Sequence, residues 1–296
     1  MYKRLAIALS AALVLGLQVR ATPTGVAQFV SETKWQQNED WFGGFSAIEV
    51  LNDGRKYIAL TDHGRLVQGR MVRENQDLQS VKIDSSTALN NSKGIAPKNQ
   101  RQDTEGLAVR RDGQLFISLE GIHQVRAYAR ASGNAMEYPR HADFAKLQDN
   151  GSLEALAIDD RNRLYTLPES SATDARGMPV YRLENGVWSQ PFFLSRSRRY
   201  EPVGADFGPD GKFYLLERKF TLFGFRSRIR SFVFDANGVA SEQAVLETAA
   251  GEHDNLEGLS VWRDDTGALR LTMVSDDNFM FFQSTEIVEY LVPGKA

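Results

Sequence analysis

The stretch EGLAVRRDGQLFISLE (residues 105–120) holds two short apolar strands, a hairpin turn at Asp112 and Gly113 between them, and a glutamate at each end. An Asp-Gly pair flanked by apolar runs is a strong hairpin signal. Four more copies of this arrangement occur in the chain. They read SAIEVLNDGRKYIALTD (46–62), EALAIDDRNRLYTLPE (154–169), VGADFGPDGKFYLLE (203–217) and EGLSVWRDDTGALRLTMVSD (257–276).

The copies begin 49 to 59 residues apart, which leaves room for two more strands in each interval. A period of about 40–50 residues with several short strands per repeat is typical of β-propeller blades. Because helical periodicity is almost absent from the rest of the chain, we predict an all-β protein built as a β-propeller. Five blades are visible in the sequence, and a sixth would require a degenerate copy.

Both ends of the predicted propeller carry apolar, strand-like runs, at residues 26–35 and 285–292. A propeller must close its ring, since open sheet edges are prone to unwanted pairing. We therefore predict that the N-terminal run completes the blade that begins near Glu257. Residues 22–296 would then form a single propeller domain.

The first 21 residues differ from the rest of the chain. Lys3 and Arg4 precede an apolar run from Leu5 to Val19, and small residues at positions 19 and 21 suit a cleavage site. The apolar run is shorter than the about 20 residues of a membrane span, so we predict a secretory signal peptide, with an uncleaved anchor as the alternative. The mature protein would be periplasmic or secreted, with no membrane span.

The composition excludes several classes of protein. The chain of 296 residues has no cysteine, which rules out disulfides, thiolate metal sites and cysteine nucleophiles. Cleavage after residue 21 would leave 32 basic and 38 acidic residues, a formal charge of −6. This acidic balance argues against nucleic acid as a partner. The motifs of classical serine hydrolases, zinc peptidases and P-loop proteins are also absent.

Two sets of acidic residues recur in register with the repeat. The first precedes the inner strand of a blade and comprises Glu105, Glu154 and Glu257. The second ends the following strand and comprises Asp62, Glu120, Glu169, Glu217 and Asp276. Because a propeller places equivalent residues around one axis, we expect these carboxylates to converge on one face. Crowded carboxylates repel one another unless a cation neutralises them, and oxygen ligands favour Ca²⁺ first and Mg²⁺ second.

The alternative is architectural, since a repeated acid can instead cap backbone N–H groups of a neighbouring strand.

Three further residues stand beside the predicted acidic face. Arg218 and Lys219 follow Glu217 and suit a phosphate group, and His63 follows Asp62 and is a candidate substrate contact. Arginines 226, 228 and 230 alternate along a strand, which favours a solvated outer face.

The order of motifs resembles the phytase-like propeller family, also called "esterase-like activity of phytase", from about residue 40 to residue 292. The matching segments are GGFS (43–46), DTEG (103–106), SLEA (152–155), ER (217–218), DNLEG (254–258) and SDDNF (275–279). Ala155 and Val203 depart from the pattern, at positions where the family has glycine and glutamate.

The resemblance implies an exported propeller that hydrolyses a phosphoester or ester of a small molecule. In this hypothesis Glu105, Glu154 and Glu257 act in catalysis, the second set of acids holds Ca²⁺, and Arg218, Lys219 and His63 bind the substrate. Two alternatives remain open at this point. One is a non-catalytic propeller that binds a ligand or an envelope protein, and the other is a calcium-dependent lactonase of sugar acids.

Overall fold

The computed structural model describes residues 24–51, 53–96, 103–169, 176–196, 200–236 and 238–294. The predicted signal peptide, residues 1–21, lies outside these ranges. The described chain forms 21 β-strands and one short 3₁₀-helix, Ala142–Lys146. No helix in these ranges has the length and apolar character needed to cross a membrane.

Two strands precede the first blade: β1 (Thr24–Gly25) and β2 (Gln28–Lys34). The strands of the first blade are β3 (Phe45–Leu51), β4 (Lys56–Thr61), β5 (Arg65–Glu74) and β6 (Asp77–Ala88). The second blade contains β7 (Thr104–Val109), β8 (Leu115–Leu119), β9 (Gln124–Tyr128) and β10 (Met136–Glu137). The third contains β11 (Leu153–Ile158), β12 (Leu164–Pro168), β13 (Met178–Glu184) and β14 (Val187–Leu194).

The fourth blade is formed by β15 (Glu201–Phe207), β16 (Phe213–Thr221), β17 (Gly224–Asp235) and β18 (Gly238–Glu247). The fifth is formed by β19 (Asn255–Arg263), β20 (Leu269–Asp276), β21 (Glu286–Val292) and the N-terminal strand β2. Every sheet is antiparallel, and its strands follow sequence order from the axis outwards except for the N-terminal strands β1 and β2, which are outermost in the fourth and fifth blades. The prediction of an all-β propeller is confirmed, with five blades in the described ranges.

The two ends of the chain close the ring, as the sequence predicted. Strand β2 pairs antiparallel with β21, from Gln28 opposite Leu291 to Lys34 opposite Glu286. Strand β1 adds to the outer edge of the fourth blade, where Thr24 lies opposite Glu247. The N-terminal segment therefore joins the fourth and fifth blades and covers the free edge of β21.

Inner strands contact one another around the axis, in the cyclic order β3, β7, β11, β15, β19 and back to β3. Each of the five interfaces between neighbouring blades has its own cluster of buried apolar residues. Inner strands such as β3 and β19 are buried along nearly their whole length, since both faces of every sheet are covered by a neighbour. This explains why the repeats read as continuous apolar runs.

We call the end of the ring at which the inner strands begin the upper rim, and the end at which they finish the lower rim. The turns that join the inner strands to the second strands lie at the lower rim. Gly113 and Gly211 adopt left-handed backbone conformations there, with φ of 87° and 77°. The third blade uses Asn162 instead, with φ of 61°, because asparagine tolerates this region better than most residues.

A β-bulge near the start of each inner strand is the feature that shapes the upper rim. The register shifts by one residue at Ser46, Glu154, Val203 and Glu257, and between Thr104 and Leu107 in the second blade. A bulge leaves one residue unpaired and redirects its side chain. The first set of predicted acids lies at these bulges.

Candidate functional site

The register also locates the second set of acids. In four blades, an acid stands at the end of the second strand. Its backbone pairs with the residue that lies two positions before the bulge. Asp62 pairs with Gly44 in this way, and Asp276 with Asn255. Glu120 and Glu169 occupy this position in the second and third blades. In the fourth blade the equivalent residue is Arg218, which lies opposite Glu201. Glu217 lies one residue earlier.

Glu217 therefore points away from the other acids, because successive side chains of a strand face opposite sides of the sheet. Its carboxylate is fully buried within the fourth blade and pairs with Arg228 at 3.0 Å and Arg230 at 2.7 Å. The structure does not bring Glu217 to the predicted acidic face. The expectation that these arginines form a solvated outer face is wrong for Arg228 and Arg230, since both are paired inside the blade.

The remaining carboxylates converge at the upper rim, and we call them the acidic cluster. Its members are Asp62, Glu105, Glu120, Glu154, Glu169, Glu257 and Asp276. Within it, Glu105, Glu120 and Glu154 each offer a carboxylate oxygen that lies within 4.8 Å of the other two. These three come from the second and third blades.

Charge repulsion inside the acidic cluster is strong. Burial raises the pKa of Glu105 well above its usual range, and the charges of Glu257 and Glu120 raise it further. Burial likewise raises the pKa of Glu154, and Glu105 and Glu169 add to the effect. Within the described part of the chain, no hydrogen-bond donor reaches either carboxylate. The negative charges of the Glu105 and Glu154 carboxylates are thus poorly neutralised, and both groups are available to a ligand.

The donor set fits a hard divalent cation. Carboxylate oxygens are the ligands that Ca²⁺ and Mg²⁺ prefer. Two oxygens bound to one Ca²⁺ at about 2.3–2.6 Å are at most about 5 Å apart, which agrees with the 4.8 Å spread of Glu105, Glu120 and Glu154.

Glu120 is held in place by the loop that enters the third blade. Its Oε1 atom accepts hydrogen bonds from the backbone N–H groups of Gly151 and Ser152, the latter at 3.0 Å. The Ser152 hydroxyl donates to the backbone carbonyl of Glu120 at 2.9 Å. The alternative stated above, that a repeated acid caps backbone N–H groups of a neighbouring strand, is therefore correct for the Oε1 atom of Glu120.

Arg218 lies inside the acidic cluster, between the third and fifth blades. Its guanidinium donates to Glu257 and Asn255 through Nη1 and to Glu169 at 3.1 Å through Nη2. Burial alone would lower the pKa of Arg218, but Glu257, Glu169 and Glu154 raise it, so the group stays charged. Arg218 therefore neutralises Glu169 and Glu257, and the uncompensated negative charge lies on the side of Glu105.

Asp62 and Asp276 complete the acidic cluster next to the fifth blade. Burial is the main reason that the pKa of Asp62 rises to about 6 and that of Asp276 to about 8. The Asp62 Oδ1 atom is buried and has no hydrogen-bond partner in the described ranges. Asp276 Oδ1 accepts a hydrogen bond from the backbone N–H of Asn278 at 2.7 Å.

The two remaining predicted contacts lie at the edge of the site. His63 is half exposed, and its ring stacks on Phe279 with 5.0 Å between the ring centroids. Lys219 follows Arg218 along β16 and so faces the other side of the sheet, where its ammonium lies 4.4 Å from the centre of the Tyr200 ring. Lys219 and Arg218 are thus not brought together.

Two residues of the site were missed by sequence reasoning. Asn255 donates to Glu257 at 2.8 Å and accepts from Arg218, so it positions both. Its position two residues before Glu257 was the available signal. Phe279 covers Gly43 and Gly44 and stacks on His63, which makes it a wall beside Asp62. Its place in a run of exposed apolar residues could have identified it.

The lower rim holds a separate feature, a cavity of about 1180 Å³ lined by the ends of the inner strands. Glu49 and Asp206 lie buried at its inner end. Burial raises the pKa of Glu49, with repulsion by Asp206 second, and raises the pKa of Asp206 to about 7. This cavity lies at the opposite end of the propeller from the acidic cluster.

The sequence matches the phytase-like family, described as "esterase-like activity of phytase", over residues 40–279. The chain therefore belongs to this family, which confirms the resemblance inferred from its motifs. The match runs from the loop before β3 to the loop after β20, and so covers β3 to β18 and the two inner strands of the fifth blade. No functionally characterised protein matches the sequence at a significant level.

Several solved structures are similar in outline. A PQQ-bound aldose sugar dehydrogenase from Streptomyces coelicolor shares 12% identity, with 89% of this chain and 98% of the other covered and a TM-score of 0.46. A putative gluconolactonase shares 11% identity over 90% and 94% of the two chains, also with a TM-score of 0.46. Virginiamycin B lyase from Staphylococcus aureus shares 11% over 90% and 99%, with a TM-score of 0.45. At this level of similarity, their activities are not evidence about this chain.

Proposed function

We propose that this protein is an exported, cation-dependent hydrolase that cleaves a phosphoester or ester of a small molecule at the acidic cluster. The observation that carries the proposal is the group formed by Glu105, Glu120 and Glu154, whose carboxylate oxygens lie within 4.8 Å of one another. Membership of the phytase-like family supports the reaction class. Ca²⁺ is the first candidate cation and Mg²⁺ the second.

Charge supports a cation at this place. Glu120 and Glu154 are buried and Glu105 is half-buried, and their carboxylates repel one another unless protonation or a bound cation relieves the repulsion. Arg218 already donates hydrogen bonds to Glu169 and Glu257, so it does not neutralise the charge of Glu105. A bound divalent cation would polarise the scissile phosphoryl or carbonyl group and would lower the pKa of water.

The residues around the cation site have separable roles in this proposal. Asp62 has a pKa of about 6 and a side chain that is 35% exposed, so its carboxylate can accept a proton from water. Arg218 uses three of its five N–H groups on Asn255, Glu257 and Glu169. The other two N–H groups would hold an oxygen of the substrate.

The experiment compares turnover with and without the cation. We would assay phosphate release from phytate, and hydrolysis of a p-nitrophenyl ester and of a sugar lactone, in excess Ca²⁺ and in chelator. Cation binding would be followed separately by calorimetry. Calcium-dependent turnover of the phosphoester or ester supports the proposal. Calcium-dependent opening of the lactone alone would instead indicate a lactonase, and binding without any turnover would indicate a non-catalytic binding propeller.

The first prediction concerns Glu105→Gln. This variant removes one charge from the cation site, so we expect calcium affinity to fall by at least about tenfold and turnover to be lost. Because it also relieves repulsion, the cation-free variant should be at least as stable as the wild type in a thermal melt.

Glu49→Gln is the matched control, since Glu49 is a carboxylate at the lower rim whose pKa is also raised by burial. It should leave calcium affinity and turnover unchanged. Wild-type turnover in Glu105→Gln would contradict the assignment of the site.

A further inference from the structure

Two connections at the upper rim expose an unusual amount of apolar surface. The hairpin between β16 and β17 presents Phe220, Leu222 and Phe223, with Leu222 98% exposed. The loop between β20 and β21 presents Phe279, Met280, Phe281 and Phe282, with Phe281 99% exposed. We call these two segments the apolar tips. Single exposed apolar residues are ordinary, but a group of seven on neighbouring connections indicates an interaction surface.

Both apolar tips lie on the same rim. Each follows the second strand of its blade, and second strands end at the upper rim, where Arg218 and Asp276 lie in the acidic cluster. The fourth and fifth blades are neighbours in the ring. Contacts agree with this placement, since Phe279 stacks on His63 and the backbone of Phe223 lies beside Gly251 in the loop that joins these blades. The tips therefore protrude side by side next to the acidic cluster.

The N-terminal end of the described chain lies at this rim as well. Thr24 pairs with Glu247, the last residue of β18, and Glu247 pairs with Arg226 near the base of the first tip. The residues from Leu5 to Val19 precede this point in the sequence and are apolar. If this run were retained as an uncleaved anchor, the alternative to a signal peptide, the chain would enter the propeller at the same rim as the apolar tips.

We propose that the upper rim docks on a lipid bilayer, with the two apolar tips inserted into its interfacial region. Phenylalanine and leucine at protruding loop ends suit insertion at this depth. Separate protruding ends fit a deformable lipid surface better than a flat protein partner. Glu154 is buried and Glu105 half-buried, so these carboxylates are shielded from the apolar region of a docked bilayer. This proposal goes beyond the proposed function and does not depend on it.

Charge determines what kind of bilayer is needed. The predicted mature chain carries a formal charge of −6, and the face next to the tips is acidic. Electrostatic attraction to anionic lipids therefore cannot supply the binding, and insertion of apolar side chains must. We expect binding to phosphatidylcholine vesicles that does not weaken as the salt concentration rises.

The test uses residues 22–296 and phosphatidylcholine vesicles, with binding measured by co-sedimentation. The variant combines Leu222→Asp with Phe281→Asp. Since both side chains are almost fully exposed, folding should be retained, which circular dichroism and thermal melting would check. We expect vesicle binding to fall by at least about tenfold, because two inserted side chains are replaced by charges.

Val187→Asp is the matched control. Val187 is 69% exposed at the start of β14, which follows a turn at the lower rim. It should bind vesicles as the wild type does, and both variants should keep the wild-type circular dichroism spectrum and thermal melt. Failure of the wild type to bind vesicles, or equal binding by the double variant, would overturn the proposal. The proposal would also be overturned if the wild type were a dimer and the double variant a monomer, because the apolar tips would then bind a second copy of this chain.

Discussion

At the scale of single residues, the neighbours Glu217 and Arg218 have opposite environments. Glu217 is fully buried between two arginines of its own blade, whereas Arg218 is bound by the acidic cluster. The five copies of the repeat, each of which ends on an acid, led us to expect Glu217 in the acidic cluster. The fourth copy is one residue shorter than the second and third, so Glu217 falls one position before the cluster position. A shift of one residue reverses the face of a strand.

A second prediction at this scale concerns Asp206 at the lower rim. Burial raises its pKa from 3.8 to about 7, so the folded protein binds a proton more tightly than the unfolded chain does. Its contribution to stability is therefore complete below about pH 4 and is lost as the pH rises towards 7. Asp206→Asn should leave stability unchanged near pH 4 and raise the free energy of unfolding at pH 8 by about 1–3 kcal/mol.

Urea denaturation of both proteins at several pH values would test this. The asparagine keeps an oxygen that can accept from the backbone N–H of Val261, as Asp206 does at 2.6 Å. The acidic cluster titrates in both proteins, so its effect cancels when their free energies of unfolding are subtracted. The difference that remains is due to Asp206. A variant that is less stable than the wild type at pH 8 would contradict the raised pKa.

At the scale of elements, the bulged inner strand is the unit that builds the site. The repeat alone allowed the blades, their hairpins and the convergence of Glu105, Glu120 and Glu154 to be predicted. The asymmetry of the site was less accessible. It depends on Arg218 and Asn255, whose hydrogen bonds join different blades and cannot be read from the spacing within one repeat.

The glycine that follows a bulge lets neighbouring inner strands approach closely. A Cβ atom added to Gly204 would overlap the backbone carbonyl oxygen of Glu257. Gly204→Ala should therefore lower the free energy of unfolding by about 1–3 kcal/mol and displace Glu257, with a loss of turnover. Chemical denaturation and the hydrolysis assay would measure the two effects.

Ala155 provides the matched control, because it occupies the equivalent position in the third blade and is accommodated there. Ala155→Gly should cost about 1–2 kcal/mol, from a more flexible backbone and the loss of a buried methyl group, and should leave turnover unchanged. If the two substitutions had equal effects on turnover, close packing at Gly204 would not position Glu257.

At the scale of the whole molecule, the closure of the ring depends on contacts between the first and fifth blades. Arg73 on β5 pairs with Glu289 on β21 through both carboxylate oxygens, each at 2.6 Å. Glu289 is fully buried. Arg73→Gln leaves this carboxylate without its cation, so we expect a loss of about 3–5 kcal/mol in the free energy of unfolding.

Arg70 lies on the same strand and offers a matched control. Its pair with Asp84 is largely exposed, so Arg70→Gln should change stability by less than about 1 kcal/mol. Equal losses in both variants, measured by chemical denaturation, would show that Arg73 contributes nothing specific to the joint between the blades.

The strand β2 has a further consequence for the order in which the chain assembles. Its partner β21 lies more than 250 residues later in the sequence, so the fifth blade cannot be completed until almost the entire chain has been synthesised. Contacts between such distant residues slow folding, because a very long loop must close before they form. A strand made at the start of the propeller is thus among the last to pair, and the ring closes only after β21 has been synthesised.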